Sequence, residues 1–324
     1  MATTRRRALK LLLTVAMVGA CTAAVAAYPD HAVRLIAPFP PAGGVDSMAR
    51  VIAGALADEL GQAFVVENHA GASGRIGTEL AAKAAPDGYT LLLGSVGPNA
   101  IVPVAYRDLS YDAVKGFAPI SLIGTSAYAL VVPASLPAKT VPELIALAKA
   151  QPGKLNFAST GNLGGPHLAG ELLKTLAQID VVHVPYKGGA PQIQALLSGE
   201  VSFAFTSLPT VAPHVKAGTL RVLAVTGPER AATMPDVPTM SQFVKGYEVV
   251  QWYGVLAPAG TPEAVVRRIN AAMVKAVAIP KVRENLLRFD AEPTTNTPEA
   301  FSAMIQAEIA KYRNVVEKAN IKPD

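Results

Sequence analysis

The sequence predicts an α/β protein of two doubly wound domains joined by two crossover strands, and three observations lead there. Short apolar runs alternate with amphipathic helical patterns along most of the chain. Such alternation implies βαβ units and a mostly parallel sheet. Two stretches, 118–138 and 247–260, each hold two apolar runs with no helix between them, so each is expected to carry the chain out of one sheet into another. The roughly 300 residues left after an N-terminal export segment make two domains the natural prior.

The elements follow in order. Strands are expected at 33–37, 64–67 and 90–94, with helices at 45–60 and 75–84, which completes a first α/β unit. Beyond the first crossover, Thr140-Val141-Pro142-Glu143 reads as a capping box with proline early in the first turn, opening a helix that ends near Gly153. Further strands are expected at 155–159, 181–184, 201–205 and 221–226, with helices at 165–177, 190–198 and 210–216. After the second crossover, Thr261-Pro262-Glu263 caps a helix whose Val266, Ile269, Met273 and Val277 share one face. The last helix starts at Thr297-Pro298-Glu299, runs to about Lys318, and with its predecessor is expected to pack back on the first domain. The division is then 28–124 plus 254–324 for one lobe and 125–253 for the other, with a cleft between hinged lobes.

Residues 1–27 read as a signal peptide: Arg5, Arg6, Arg7 and Lys10 precede an apolar run from Leu11 to about Ala20, and small residues lead up to Tyr28. The run is too short for a stable membrane span. Export is expected by the general secretory route or, since residues 4–10 resemble a twin-arginine signal, by that route. Cys21 is the only cysteine. It reads as a discarded signal residue or as a site of lipid attachment, and cleavage near Tyr28 would leave a chain with no disulfide framework and no thiolate metal site. Of 29 Lys+Arg against 24 Asp+Glu, four cations and no acids precede Tyr28, which leaves 25 against 24. That near-neutral balance, without a basic run, argues against a nucleic-acid partner.

Sites in doubly wound sheets sit at the carboxyl ends of strands. Four such loops carry small or polar residues: one from Phe39 to Asp46, one with Ser95, Val96 and Asn99, one from Ser159 through Gly161, Asn162, Gly164 and Gly165 to His167, and one with Thr206 and Ser207. The first and third place a glycine-rich turn between a strand and a helix, a layout that aims free amides at an anion. None of the four holds Lys or Arg. Lys187, beside Tyr186 in a Tyr-Lys-Gly-Gly turn, is the one strand-end cation nearby. Amides and hydroxyls suit a carboxylate and are thin for a polyphosphate. Asp46 reads as a helix cap or dipole partner ahead of a ligand contact. His167 reads equally as a carboxylate donor or as a donor to a backbone carbonyl, and Phe39 as the pocket floor or as packing between lobes.

Enzymatic motifs are missing: there is no G-x-S-x-G, G-x-x-x-x-G-K-[ST] or H-E-x-x-H, and no G-x-G-x-x-G after the first strand. The five histidines, His31, His69, His167, His183 and His214, lack metal spacing. The expectation is a binding protein rather than an enzyme, with no cofactor and no metal.

Several blocks, in order, carry a resemblance: YPDHAVRLIAPFPPAGGVDSMAR, VVENHAGASGRIGTELAAKAAPDGYTLLLGS, LNFASTGNLGGPHLAGELL, VVHVPYKGGAP and LRVLAVT. They resemble the Bug-type (TctC-like) solute receptors of tripartite tricarboxylate transporters over nearly the whole chain after the signal. The resemblance implies a two-lobe periplasmic-binding-protein fold of type II-like topology and capture of a small carboxylate in the periplasm. Delivery would be to membrane transporter subunits or, alternatively, to a sensor kinase without a dedicated transporter, with the receptor a monomer. It carries over Phe39, Ala42, Gly43, Gly44 and Asp46 from the first loop, Ser159, Gly161, Gly165 and His167 from the third, and Tyr186 and Lys187. This chain departs from the family at Val45, commonly threonine, at 95–99, commonly threonine-rich, and at Thr206, often aspartate. Losing that aspartate removes a charge, so the expected ligand is an organic acid without an amine: a di- or tricarboxylate or an aromatic acid.

Overall fold

The computed structural model describes residues 28–41 and 44–318. The expected signal peptide with Cys21, and Ala42 and Gly43 of the first loop, lie outside the described residues.

The chain builds two sheets of matching topology. In the first, β1 (Val33–Ala37) lies between β2 (Phe64–Asn68) and β3 (Thr90–Ser95), all parallel, linked by α1 (Gly44–Leu60) and α2 (Arg75–Ala82). Helices cover both faces of such a sheet, and all six residues of β3 are buried. In the second, β5 (Asn156–Ser159) lies between β6 (Val182–Pro185) and β7 (Phe203–Ser207), again parallel. Helices α5 (Gly165–Ala177), α6 (Gly189–Ser198) and α7 (Leu208–Lys216) alternate with these strands. In one half the order β2-β1-β3 is continued by β9 (Val250–Pro258), and in the other β6-β5-β7 is continued by β4 (Phe117–Pro133). Each parallel trio is thus closed by an antiparallel strand, and these two strands are the crossovers.

The first crossover, β4 (Phe117–Pro133), has 17 residues, about 55 Å of extended chain. Phe117 to Ala127 pair with the second crossover, β9 (Val250–Pro258), whereas Tyr128 to Pro133 pair with β7 and with β8 (Leu220–Val225). Register shifts at Pro119/Ser121, Leu122/Gly124 and Leu130/Val131 bend β4 so that one strand serves two differently oriented sheets.

The expected elements all form, within a few residues of their anticipated ends. α4 (Val141–Ala150) has the predicted cap: the Glu143 amide donates to Thr140 Oγ1 at 3.3 Å. The returning Glu143 carboxylate accepts from the Lys139 amide at 2.6 Å, one residue earlier than a reciprocal box requires. Thr261 does not cap α8 (Glu263–Ala278): its hydroxyl turns back to the Pro258 carbonyl at 2.8 Å, and Pro262 holds the cap position. Several short elements were not anticipated, among them 3-10 turns at Ala72–Gly74 and Met240–Gln242. A π-helical turn at Gly97–Ile101 leads into α3 (Val102–Ala105), and α9 (Pro280–Arg288) leads to β10 (Glu292–Pro293) on the edge of β4. Only Val282 and Leu286 of α9 are buried, an apolar stripe too short to stand out from sequence.

The buried residues form three clusters. One lies under α1, α8 and α9 in the first half, and one under α6 and α7 in the second. The third is shared: Ile36, Leu92 and Ile101 of the first half join Leu130, Phe157 and Phe203 of the second beneath α10 (Pro298–Lys318), through Phe301, Ile305, Tyr312 and Val315. The last helix therefore packs on the first half, as expected, and also reaches α5 of the second. Trp252 of β9 meets Phe301 edge-on at 5.5 Å, and the Tyr247 hydroxyl donates to the Ala169 carbonyl of α5 at 2.8 Å.

Gly170 of α5 lies against Phe157, and a Cβ there would sit 2.0 Å from a ring carbon. Phe157 is packed against His183 and Phe203 and has no free direction to retreat. Alanine gains about 1 kcal/mol of helix propensity over glycine, but overpacking a close-packed core costs about 1–3 kcal/mol. Gly170→Ala is expected to lower stability by a net 1–2 kcal/mol or so, read as a lower urea midpoint at unchanged slope; an equal or higher midpoint contradicts this packing.

Candidate functional site

The two crossovers meet at a polar patch. Ser126 of β4 pairs directly with Gln251 of β9. Because strand side chains alternate, Tyr128 lies on the same face as Ser126, and Tyr253 on the same face as Gln251. These four residues line a cavity of about 380 Å³ together with Gly44 at the start of α1, Ser207 and Pro209 at the start of α7, and the Arg288-Phe289-Asp290 turn after α9. Its walls come from both halves, with the crossovers as floor.

Two tyrosines press on two helix N-termini. The Tyr128 hydroxyl occupies the place of a Gly165 Cβ, only 2.2 Å away, and the Tyr253 hydroxyl lies 3.2 Å from the place of a Gly44 Cβ. Any side chain at Gly165 would displace the ring. Burial raises both phenols, Tyr253 to about 12 and Tyr128 further, with the nearby Asp290 carboxylate adding to each. Both stay protonated and can donate to an anion, alongside the first amides of the helices, which have no partner within the helix itself. Asp290 is the one acid of the cavity among the described residues. Ser126 Oγ donates to its Oδ2 at 3.0 Å, and the Leu208 amide at the start of α7 also donates to it. Burial nevertheless pushes its carboxyl up to about 6. Arg288, the cavity's cation, is exposed and paired with Glu284.

Of the residues anticipated from sequence, Gly44 and Ser207 line this cavity, and Gly165 meets it through Tyr128. Asp46 is 3% exposed. Its carboxylate accepts from Arg50 at 2.9–3.0 Å and from Asn68 Nδ2 at 2.9 Å, and the same Asn68 amide donates to the Phe39 carbonyl at 3.1 Å. The group ties α1 to the end of β2 and to the loop that carries Phe39, which is half-buried. Ser95, Val96 and Asn99 are buried at the end of β3, where the Ser95 amide donates to Asn99 Oδ1 at 3.1 Å. Thr206 is 2% exposed, and its neighbour Ser207 faces the cavity. The Tyr186 hydroxyl donates to Glu200 at 2.7 Å, Lys187 is exposed in the following turn, and Asn162 and Gly164 sit in the loop before α5.

The loop before α5 is held from behind. Ser159 Oγ accepts from the Gly161 amide at 3.2 Å, lies 2.9 Å from the Gly161 carbonyl and 2.6 Å from His183 Nε2. A hydroxyl has one proton and two lone pairs, so all three contacts are satisfied when His183 carries its proton on Nε2. His183 stacks on His167 at 3.8 Å, and His167 Nδ1 accepts from the Leu163 amide at 3.1 Å. Burial pushes His167 down to about 3 and His183 down to about 4, so both rings are neutral near pH 7. Neither lies in the cavity. Ser126, Tyr128, Gln251, Tyr253 and Asp290 were missed from sequence, although polar residues two apart inside each crossover were a readable signal.

Comparison with known proteins matches residues 48–321 to the family model described as tripartite tricarboxylate transporter family receptor. The protein BugT of Bordetella pertussis is 36% identical over 321 residues, covering 96% of this chain and 98% of that one. Among solved structures, R. palustris Rpa4515 with adipate superposes with a TM-score of 0.76 at 34% identity, covering 92% of this chain and all of that one. MatC (Rpa3494) from Rhodopseudomonas palustris with bound malate superposes with a TM-score of 0.72 at 30% identity, covering 89% of this chain and 100% of that one.

The buried histidines make stability fall with acid. Their folded values lie below the ordinary one of about 6.5, so the unfolded chain binds more protons from there down to about 4, and stability is lost as pH falls through that window. The raised carboxyls of Asp290, Glu171 and Glu308 act in the opposite sense, losing stability as pH rises, Asp290 from about 4 to 6, but the imidazoles, whose ordinary value lies between pH 5 and 7, dominate that interval. The melting temperature is expected to be lower at pH 5 than at pH 7. His183→Gln, which keeps a donor for Ser159 without a titrating ring, should show a smaller drop; an undiminished one would place the pH response elsewhere.

Proposed function

Because this chain belongs to the tripartite tricarboxylate transporter receptor family, we propose that its cleft captures one small organic carboxylate from the periplasm, for delivery to the membrane subunits of such a transporter. The observation that carries this reading is the cavity itself: protonated Tyr128 and Tyr253 hydroxyls and the amide end of α1 converge in a space of about 380 Å³. That set satisfies a carboxylate through charge-assisted hydrogen bonds, without a lysine. The chemistry asked of it is binding and release, with no bond made or broken.

The lobes are proposed as 28–124 plus 254–324 and 125–253, and the receptor as a monomer exported with residues 1–27 removed. Among the described residues, no helix is long and apolar enough to cross a membrane. Ligand touching walls from both lobes favours the closed arrangement by its differential affinity for the two states.

Calorimetric titration with small organic carboxylates is expected to give a one-to-one complex, with a rise in melting temperature that grows with ligand concentration. Tyr253→Phe should weaken that complex by about 0.5–1.5 kcal/mol, one hydrogen bond. Binding of uncharged analogues as tightly as the acids would refute the carboxylate reading.

A further inference from the structure

Asp290, in the turn after α9, lines the same cavity as Gly44 at the start of α1. It follows α9 at a φ of 61°, a left-handed conformation that few residues other than glycine, asparagine and aspartate adopt. The turn aims the carboxylate across the cleft, where Ser126 Oγ and the Leu208 amide hold it. Two consequences follow. The N-terminus of α7 is already satisfied by an internal anion, so a ligand carboxylate is directed to the Gly44 side. And a carboxylate with two donors keeps lone pairs free to accept from a third.

We infer that Asp290 sets ligand choice in the cleft: it admits a carboxylate whose far end offers a hydrogen-bond donor, a hydroxyl or an amine, and disfavours a second carboxylate. This rests on the receptor reading above and replaces the preference for di- and tricarboxylates expected from Thr206, because the cavity carries an acid that the sequence did not place there. The other groups facing Asp290 do not cancel its charge. Tyr128 and Tyr253 are neutral, and Arg288 is turned to Glu284. Among the described residues no further charged side chain lines the cavity. A like charge close by in a partly desolvated cleft is a strong discriminator.

The test compares straight-chain ω-hydroxy acids and α,ω-diacids of equal carbon number, three to about six carbons, by calorimetry at pH 7.5 on the wild type and on Asp290→Asn. Asparagine tolerates the left-handed turn and keeps a hydrogen-bonding side chain without the charge. The wild type should bind the hydroxy acid of the best-fitting length at least about tenfold more tightly than its diacid, the size of one pKa unit of charge interaction. In Asp290→Asn that ratio should fall by about tenfold or invert. Diacids bound as tightly as hydroxy acids by the wild type, or a ratio unchanged in the variant while both bind, overturns the assignment and leaves the receptor reading standing. Failure of every acid to bind the wild type overturns the receptor reading, and this inference with it.

Discussion

The pairing of β4 with β9 is the constraint on which the rest depends. β4 belongs to two sheets at once: its first stretch pairs with β9 beside the first trio, and its last pairs with β7 and β8 beside the second. The Ser126–Gln251 pair lies where β4 passes from the first sheet toward the second. A polar pair inside a sheet is costly unless its groups find partners. Tyr128 meets Gln251 at 3.3 Å and Ser126 meets Asp290 at 3.0 Å, so the patch that joins the lobes is held by the side chains that form the cavity. Fold and site share one solution.

The same economy governs the loop before α5. Ser159, His183 and His167 form a neutral, stacked support rather than a charged one, and they keep the amide end of α5 in place without adding charge to the cleft. A protonated imidazole there would find only a counter-ion already committed elsewhere. Glu171 stands 3.9 Å from His167, is committed to Lys174 at 3.0 Å, and has its own carboxyl raised by burial. Burial thus fixes the protonation state of the support, and the support fixes the loop.

Most of the fold could be read from the chain because its signals are local. β1 and α5 match their expected bounds, and Val266, Ile269, Met273 and Val277 are all buried on α8, since apolar periodicity and caps act within a few residues. The cavity was only partly legible, for a physical reason. Gly44 and Ser207 sit at strand-to-helix turns, where position alone marks a site, whereas Tyr128, Gln251 and Tyr253 lie inside strands, marked only by their alternation with apolar neighbours. Asp290 was out of reach: it follows a helix with two buried residues, and its importance comes from Ser126 and Leu208, far away in sequence. Asp46, read from sequence as a cap or dipole partner ahead of a ligand contact, is engaged by Arg50 and Asn68.

Trp252 lies between Gln251 and Tyr253, and strand alternation sends it to the opposite face, against Phe301 of α10. The cleft and the shared core are therefore back to back across β9. Parting the lobes on the α10 side would expose aromatic side chains at about 1.5–3 kcal/mol each. Motion is left to the cleft side, like a book whose spine is glued while its pages turn. With the proposed lobe closure confined to the cleft side, the spine surface would keep one shape whether the receptor is empty or loaded. A membrane partner gripping it would learn which protein had arrived but not whether it carried cargo, and that second message is written only along the fore-edge, where the two lobes face each other.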